Sequence, residues 1–203
     1  MLKKIAIVVG VLVLGYVAYA QSRPSEYTVE RSTKIAAPAS VIFPFMADYH
    51  LWPQWSPWDK LDPNEKRDYA GPATGGEGAS VHWSGNDQVG EGRMTTTTQK
   101  ANELVDIKLE FIKPFPSTNQ AAFALKASPD GTTEVVWTMH GNVNAMAKMF
   151  TAFMNWDTMI GPDFDKGLAS MKTLAEAEAK KQSDAAAAAA AKAAADAAAA
   201  AKK

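Results

Sequence analysis

Cysteine is absent from the 203 residues, which removes disulfides, thiolate nucleophiles and sulfur-ligated zinc from consideration. Histidine is scarce: His50, His82 and His140 stand far apart, without the i, i+4 pair and intervening Glu of a catalytic zinc helix. Long basic runs are also missing. With 21 Lys and Arg against 22 Asp and Glu the formal net charge is −1, so no nucleic-acid partner is expected. No Gly-x-Ser-x-Gly elbow occurs, and neither Gly75-Gly76-Glu77-Gly78 nor Gly90-Glu91-Gly92 has the pattern of a phosphate loop opening a helix. Glu91, Glu103, Asp106 and Glu110 sit among strand residues and read as a solvent face. No catalytic residue, metal or cofactor is assigned.

One long apolar run is present. Ile5 to Ala20 carries no charge and follows Lys3 and Lys4, the layout of a signal anchor or a signal peptide. Ala18-Tyr19-Ala20 offers a small-residue cleavage pattern, whereas Tyr16 and Tyr19 suit an interfacial belt in a retained anchor. In either case the lysines stay inside. The rest of the chain is expected on the periplasmic or extracytoplasmic side, as a single-pass membrane protein or as a secreted one after cleavage.

Beyond a short linker, Tyr27 to Ile35 reads as a strand and Ala39 to Ala47 as a short helix in which Pro44 predicts a kink or early stop. Tyr49 to Trp58 places Trp52, Trp55 and Trp58 among prolines, a rigid aromatic loop that packs under a sheet, caps a pocket or meets a membrane. Short strands follow at Arg67 to Ala70, Ala79 to Ser84 and Val89 to Gln99. The clearest alternation is Val105, Ile107, Leu109 and Phe111 against Asp106, Lys108 and Glu110. Ala121, Phe123 and Leu125, then Val135, Trp137 and Met139, repeat the inward pattern on two further strands joined through Ser128-Pro129-Asp130-Gly131.

From Asn144 the period changes. Met146, Phe150, Phe153, Ile160, Phe164, Leu168, Met171 and Leu174 recur at helical spacing, which predicts one buried side. Gly161-Pro162 divides the stretch into a helix near Asn144 to Trp156 and a longer one over Asp157 to Lys181. Ala185 to Lys203 is a low-complexity Ala/Lys tail, read as an exposed, frayed helical extension. The chain therefore divides into 1–22, a signal anchor or signal peptide; 23–182, a folded domain; and 183–203, the tail.

The order strand, short helix, antiparallel strands, long helix is α+β. It resembles the helix-grip fold of the SRPBCC superfamily, which includes START-like lipid-transfer domains and polyketide cyclase/dehydrase proteins. The residues carrying the resemblance are Val29-Glu30-Arg31-Ser32, Ile35-Ala36-Ala37-Pro38, the Trp52-Pro53-Gln54-Trp55-Ser56-Pro57-Trp58 loop, Gly90-Glu91-Gly92-Arg93-Met94 and Lys113-Pro114-Phe115. It covers roughly Tyr27 to Ala175. The resemblance implies a curved antiparallel sheet wrapped around the C-terminal helix, with a pocket between them.

On that fold the inward residues expected to line a ligand cavity are Trp83, Met94, Ile107, Leu109, Phe111, Ala121, Phe123, Trp137, Met139, Phe164, Leu168 and Met171. Met146 joins the core-facing methionines that suit an adaptable interior. The leading expectation is a membrane-tethered binder of a hydrophobic or lipid-like small molecule. The alternatives are a cyclase-type enzyme, with His82, Glu91 or Arg93 as its polar groups, and a pocketless interaction module.

Overall fold

The computed structural model describes residues 1–200. The sheet is built entirely of antiparallel neighbours in the order β1-β7-β6-β5-β4-β3-β2, with β1 Glu26–Ile35, β2 Lys66–Ala70, β3 Ser80–Ser84, β4 Glu91–Lys100, β5 Leu104–Lys113, β6 Ser117–Ala127 and β7 Thr133–Asn142. β2 to β7 follow each other as hairpins, and β1 joins the far side of β7, pairing Glu26 with Asn142 and Ile35 with Thr133. Register shifts at Glu91/Gly92 and Thr96/Thr98 interrupt the β4–β5 ladder, and such irregularities bend a strand and increase its twist. The result is an open, curved sheet with one apolar face.

Among the described residues there are four α-helices: α1 Leu2–Ser22, α2 Ala39–Ala47, α3 Ala145–Thr151 and α4 Trp156–Ala200. α2 buries seven of its nine residues and runs through Pro44 without stopping. The aromatic loop forms two 3-10 turns, Tyr49–Gln54 and Trp58–Lys60. Trp52 and Trp55 are buried, and their indole N–H groups donate to the carbonyls of Met46 and Phe45 at 3.1 and 2.8 Å. The loop is thus pinned to the end of α2, under the sheet.

The gripped element is α4, whose Phe164, Leu168, Met171 and Ala175 are buried against the concave face. Phe164 stacks on Trp137 with centroids 3.9 Å apart and ring planes 5° from parallel, and Trp137 also stacks on Phe123 at 4.9 Å. Gly167 makes this approach possible, since a Cβ there would lie 2.9 Å from the Trp137 ring and 3.3 Å from Pro57. Past Glu178 and Ala179 the helix continues to Ala200 with every residue exposed, one unbroken helix where fraying was expected.

The apolar stripe read from Asn144 onward holds only in part. Met146, Phe150 and Phe153 are exposed, not buried, because the helix breaks between Ala152 and Asn155 and restarts with a new phase. Two asparagines mark the two starts: Asn144 Oδ1 accepts from the Ala147 N–H at 2.8 Å, and Asn155 Oδ1 from the Thr158 N–H at 3.2 Å. α3 consequently leaves the sheet and packs against α1, with Phe153 stacked on Tyr19 at 5.3 Å and on Tyr16 at 6.1 Å.

Candidate functional site

Between the sheet and α4 lies a cavity of about 270 Å³. Its floor is apolar: Met94 from β4, Leu109 and Phe111 from β5, Ala121 from β6, and Trp137 and Met139 from β7. Ile160 and Phe164 of α4 form the opposite wall, and Trp52 and Trp58 of the aromatic loop close a side. Strand alternation accounts for the floor. Leu109 and Phe111 share a face by the two-residue period, and cross-strand pairing sets Met94 opposite Leu109 and Ala121 opposite Met139.

Gly92 shapes the outer part. The Trp83 ring occupies the space where a side chain at Gly92 would stand, donates through its indole N–H to the Val89 carbonyl at 3.1 Å, and meets Phe111 edge-on at 6.0 Å. Val89 and the exposed Gln88, in the turn between β3 and β4, also line the cavity and mark its outer side.

Of the twelve residues expected on the cavity wall, Trp83, Met94, Leu109, Phe111, Ala121, Trp137, Met139 and Phe164 are brought together there. Ile107, Phe123, Leu168 and Met171 are not; all four are almost fully buried in the closed core beside it. They share the correct faces but sit further along strand and helix, where Trp55 and Phe123 meet edge-on at 5.9 Å and fill the space between the layers. Met146 is on the surface.

The polar groups also differ from expectation. His82 on β3 and Glu91 at the start of β4 lie 3.4 Å apart, and there Lys113 donates to Glu91 at 2.6 Å and holds its carboxyl below the ordinary range; Arg93 is exposed. None of the three reaches the cavity. Its charged lining is Asp59, Glu65 and Arg67 instead. Arg67 Nε donates to Glu65 Oε1 at 2.8 Å, and its guanidinium also touches Asp59 Oδ1 as an ion pair that lacks hydrogen-bond alignment. Both carboxylates are over nine-tenths buried. Burial opposes the Arg67 charge, but the Glu65 hydrogen bond and the two carboxylates outweigh it and raise the guanidinium pKa. One cation against two anions leaves this wall with an acidic excess.

Tyr49 supplies a neutral polar group beside that wall. Its hydroxyl lies 3.1 Å from Thr96 Oγ1, and burial pushes its pKa up to about 12. Among the described residues no three His, Asp or Glu side chains converge as metal ligands. No apolar periodicity in the sequence marks Asp59, Glu65 and Arg67, which belong to turns and a short edge strand. The available signal was the compact acid-base alternation from Asp59 to Arg67.

The family described as polyketide cyclase / dehydrase and lipid transport matches residues 26–176. No curated protein matches the chain in sequence. Solved structures share the fold at low identity. The Zhui aromatase/cyclase from Streptomyces sp. R1128 is 16% identical with a TM-score of 0.56, over 74% of this chain and 96% of that one. The Aha1 dimer from Colwellia psychrerythraea is 18% identical with a TM-score of 0.52, over 74% and 96%. A protein from Thermobifida fusca is 19% identical with a TM-score of 0.54, over 71% and 90%. At these identities the likeness is one of fold.

Proposed function

Because this chain belongs to the polyketide cyclase / dehydrase and lipid transport family, we propose that it is a membrane-tethered binding protein for a compact hydrophobic or lipid-like molecule, held between the sheet and α4. The observation that carries this reading is the cavity: about 270 Å³, apolar on most sides, with one acidic polar wall. That volume is just below the roughly 300–1,000 Å³ of common small-molecule sites, so a single-chain or small cyclic molecule suits it better than a two-chain lipid. The wall of Asp59, Glu65 and Arg67 favours a polar end that donates hydrogen bonds, a hydroxyl or an amine, over a carboxylate.

Tethering is supported by α1, whose 21 residues are long and apolar enough to cross a membrane. Its retention is supported by the contacts of Tyr16 with Met149 of α3 and of Tyr16 and Tyr19 with Phe153 just after it, which cleavage after Ala20 would remove. With Lys3 and Lys4 ahead of the apolar run, the domain belongs on the extracytoplasmic side.

A second reading, chemistry on the bound molecule, is favoured by the same three ionisable groups meeting at the cavity wall. Binding leads because Arg67 engages both carboxylates and leaves neither as an unengaged base. The test is native mass spectrometry of the full chain from detergent, then titration with single-chain amines, alcohols and acids of equal length. One bound molecule per chain is expected, with the acid weakest. Ala121→Trp should fill the cavity and abolish binding at an overpacking cost of about 1–3 kcal/mol, leaving the protein folded. A folded Ala121→Trp variant that binds like the parent would place the ligand elsewhere.

A further inference from the structure

Four exposed large apolar side chains of the folded domain are clustered in one short stretch. Met146, Phe150, Phe153 and Met154 belong to α3 and the residues just after it, and Phe150 and Phe153 are 76% and 78% exposed. From Val143 to Trp156 the only charge is Lys148, and it is turned inward, 92% buried with its Nζ 3.3 Å from the Gln21 carbonyl. A solvated surface helix would carry charge on its outer face; this one carries phenylalanine and methionine.

The position of α3 relative to α1 identifies what covers that face. Tyr16 donates to the Met149 carbonyl, Gln21 Nε2 donates to the Ala145 carbonyl at 3.1 Å, and Phe153 packs on Tyr16 and Tyr19. α3 is therefore fixed to the last two turns of α1. Those turns have no freedom to stand clear of a bilayer: at ~1.5 Å per residue the helix measures roughly 31 Å, against a hydrocarbon core of about 30 Å. A spanning α1 must sink to about Ala20, and the tyrosines then sit at the boundary where such rings are favoured. Whatever is packed on them sits there too.

The strand register adds a further apolar group to this end of the molecule. Glu26 pairs with Asn142, Asn119 with Gly141 and Ser117 with Phe111, so the β5–β6 turn lies at the same end of the sheet as α1 and α3. At its tip is Phe115, 82% exposed between two prolines. Ser84 pairs with Glu91 and Glu91 with Lys113, which places the β3–β4 turn, with the cavity residues Gln88 and Val89, at that end as well.

We propose that α3 and the turn after it, presenting Phe150 and Phe153 with Phe115 at the same end of the sheet, form an interfacial membrane anchor that seats the domain on the bilayer crossed by α1. This rests on the reading of α1 as a retained span. In this seating Gln88 and Val89 face the lipid, and the ligand exchanges with the bilayer without crossing bulk water. The occupant is a lipid surface: the patch is continuous with the membrane segment and lacks outward charge, the composition of an interfacial helix face.

The cysteine-free chain permits a direct test. Single-cysteine variants of the full chain, Phe150→Cys, Phe115→Cys, Val9→Cys and Glu103→Cys, would carry an environment-sensitive NBD label in phosphatidylcholine vesicles containing nitroxide lipids. Glu103 is an exposed control at the opposite end of the sheet, where Lys100 pairs with Leu104. The expected result is deep quenching at position 9, shallow quenching at 150 and 115, and none at 103. Quenching at 9 without quenching at 150 would overturn the anchor while leaving the span intact. Quenching at 150 without quenching at 9 would overturn the span, and with it the seating on a bilayer crossed by α1. A blue shift at 150 without quenching would show a protein covering the face and overturn the anchor, as would equal quenching at 103 and 150.

Discussion

Tyr49 illustrates how a single residue records the environment of the cavity. It is 4% exposed, its hydroxyl has Thr96 as partner, and burial shifts its pKa from 10.0 up to about 12. Below pH 10 the folded and unfolded chains both keep this proton, and the residue contributes no slope. Between about 10 and 12 the unfolded chain releases it while the folded one retains it, so stability falls as pH rises, by ~3 kcal/mol for two units. Tyr49→Phe should flatten that part of the curve. Urea midpoints of both proteins from pH 9 to 12 measure it, and parallel curves would show that Tyr49 ionises in the folded state as it does in water. Residue identity alone did not reveal this, because Tyr49 lies in an irregular loop where no period assigns a face.

The element that organises the fold is α4, and its glycines are as informative as its apolar side chains. Arg31 on β1 crosses the helix at Gly161 to reach Asp157 at 2.6 Å and Asp165 at 3.2 Å, one turn to either side. A side chain at 161 would meet the guanidinium, and one at 167 the Trp137 ring, so these two positions set how closely helix and sheet approach. Gly167→Val should cost about 1–3 kcal/mol, the usual range for overpacking. It should also weaken ligand binding, since Trp137 and Phe164 form part of the cavity wall. Thermal unfolding and titration of the variant check both; an unchanged melting temperature would mean that the helix shifts outward freely. The hydrogen bond from Arg31 holds the Asp157 carboxyl below its ordinary range. That contribution is present above the unfolded pKa and is lost as pH falls through the folded one.

At the scale of the whole molecule, the apolar helix α1, the short helix α3 and the outer side of the cavity, at Gln88 and Val89, share one end of the sheet. This is the arrangement required by the proposal that the protein is tethered to a membrane and draws a ligand from it. The proposed extracytoplasmic orientation rests on Lys3 and Lys4 and is expected to show as activity of a periplasm-specific reporter fused after Lys203. Activity of a cytoplasm-specific reporter at the same position would reverse it. Beyond Lys180 the described part of α4 is exposed throughout.

The helix-grip arrangement was implied by the resemblance to a family; the α+β order of elements, the strand faces and the apolar character of the interior were determined by the amino-acid sequence itself. Each follows from local periodicity, two for a strand and 3.6 for a helix, and the inward positions of Ala121, Phe123, Val135, Trp137 and Met139 were readable for that reason. Periodicity says which side of an element is buried but not where along it the layers close, so Ile107, Phe123, Leu168 and Met171 were placed on a cavity that they only adjoin. The tertiary structure alone decided that α3 packs on α1, because the stripe through Met146, Phe150 and Phe153 fits burial on a sheet equally well until the partner helix is in place. It also decided the cavity's polar wall. Asp59, Glu65 and Arg67 meet Met139 and Phe164 only after some seventy to one hundred intervening residues have folded the sheet around the helix, and a local pattern carries no information about a meeting made at that distance.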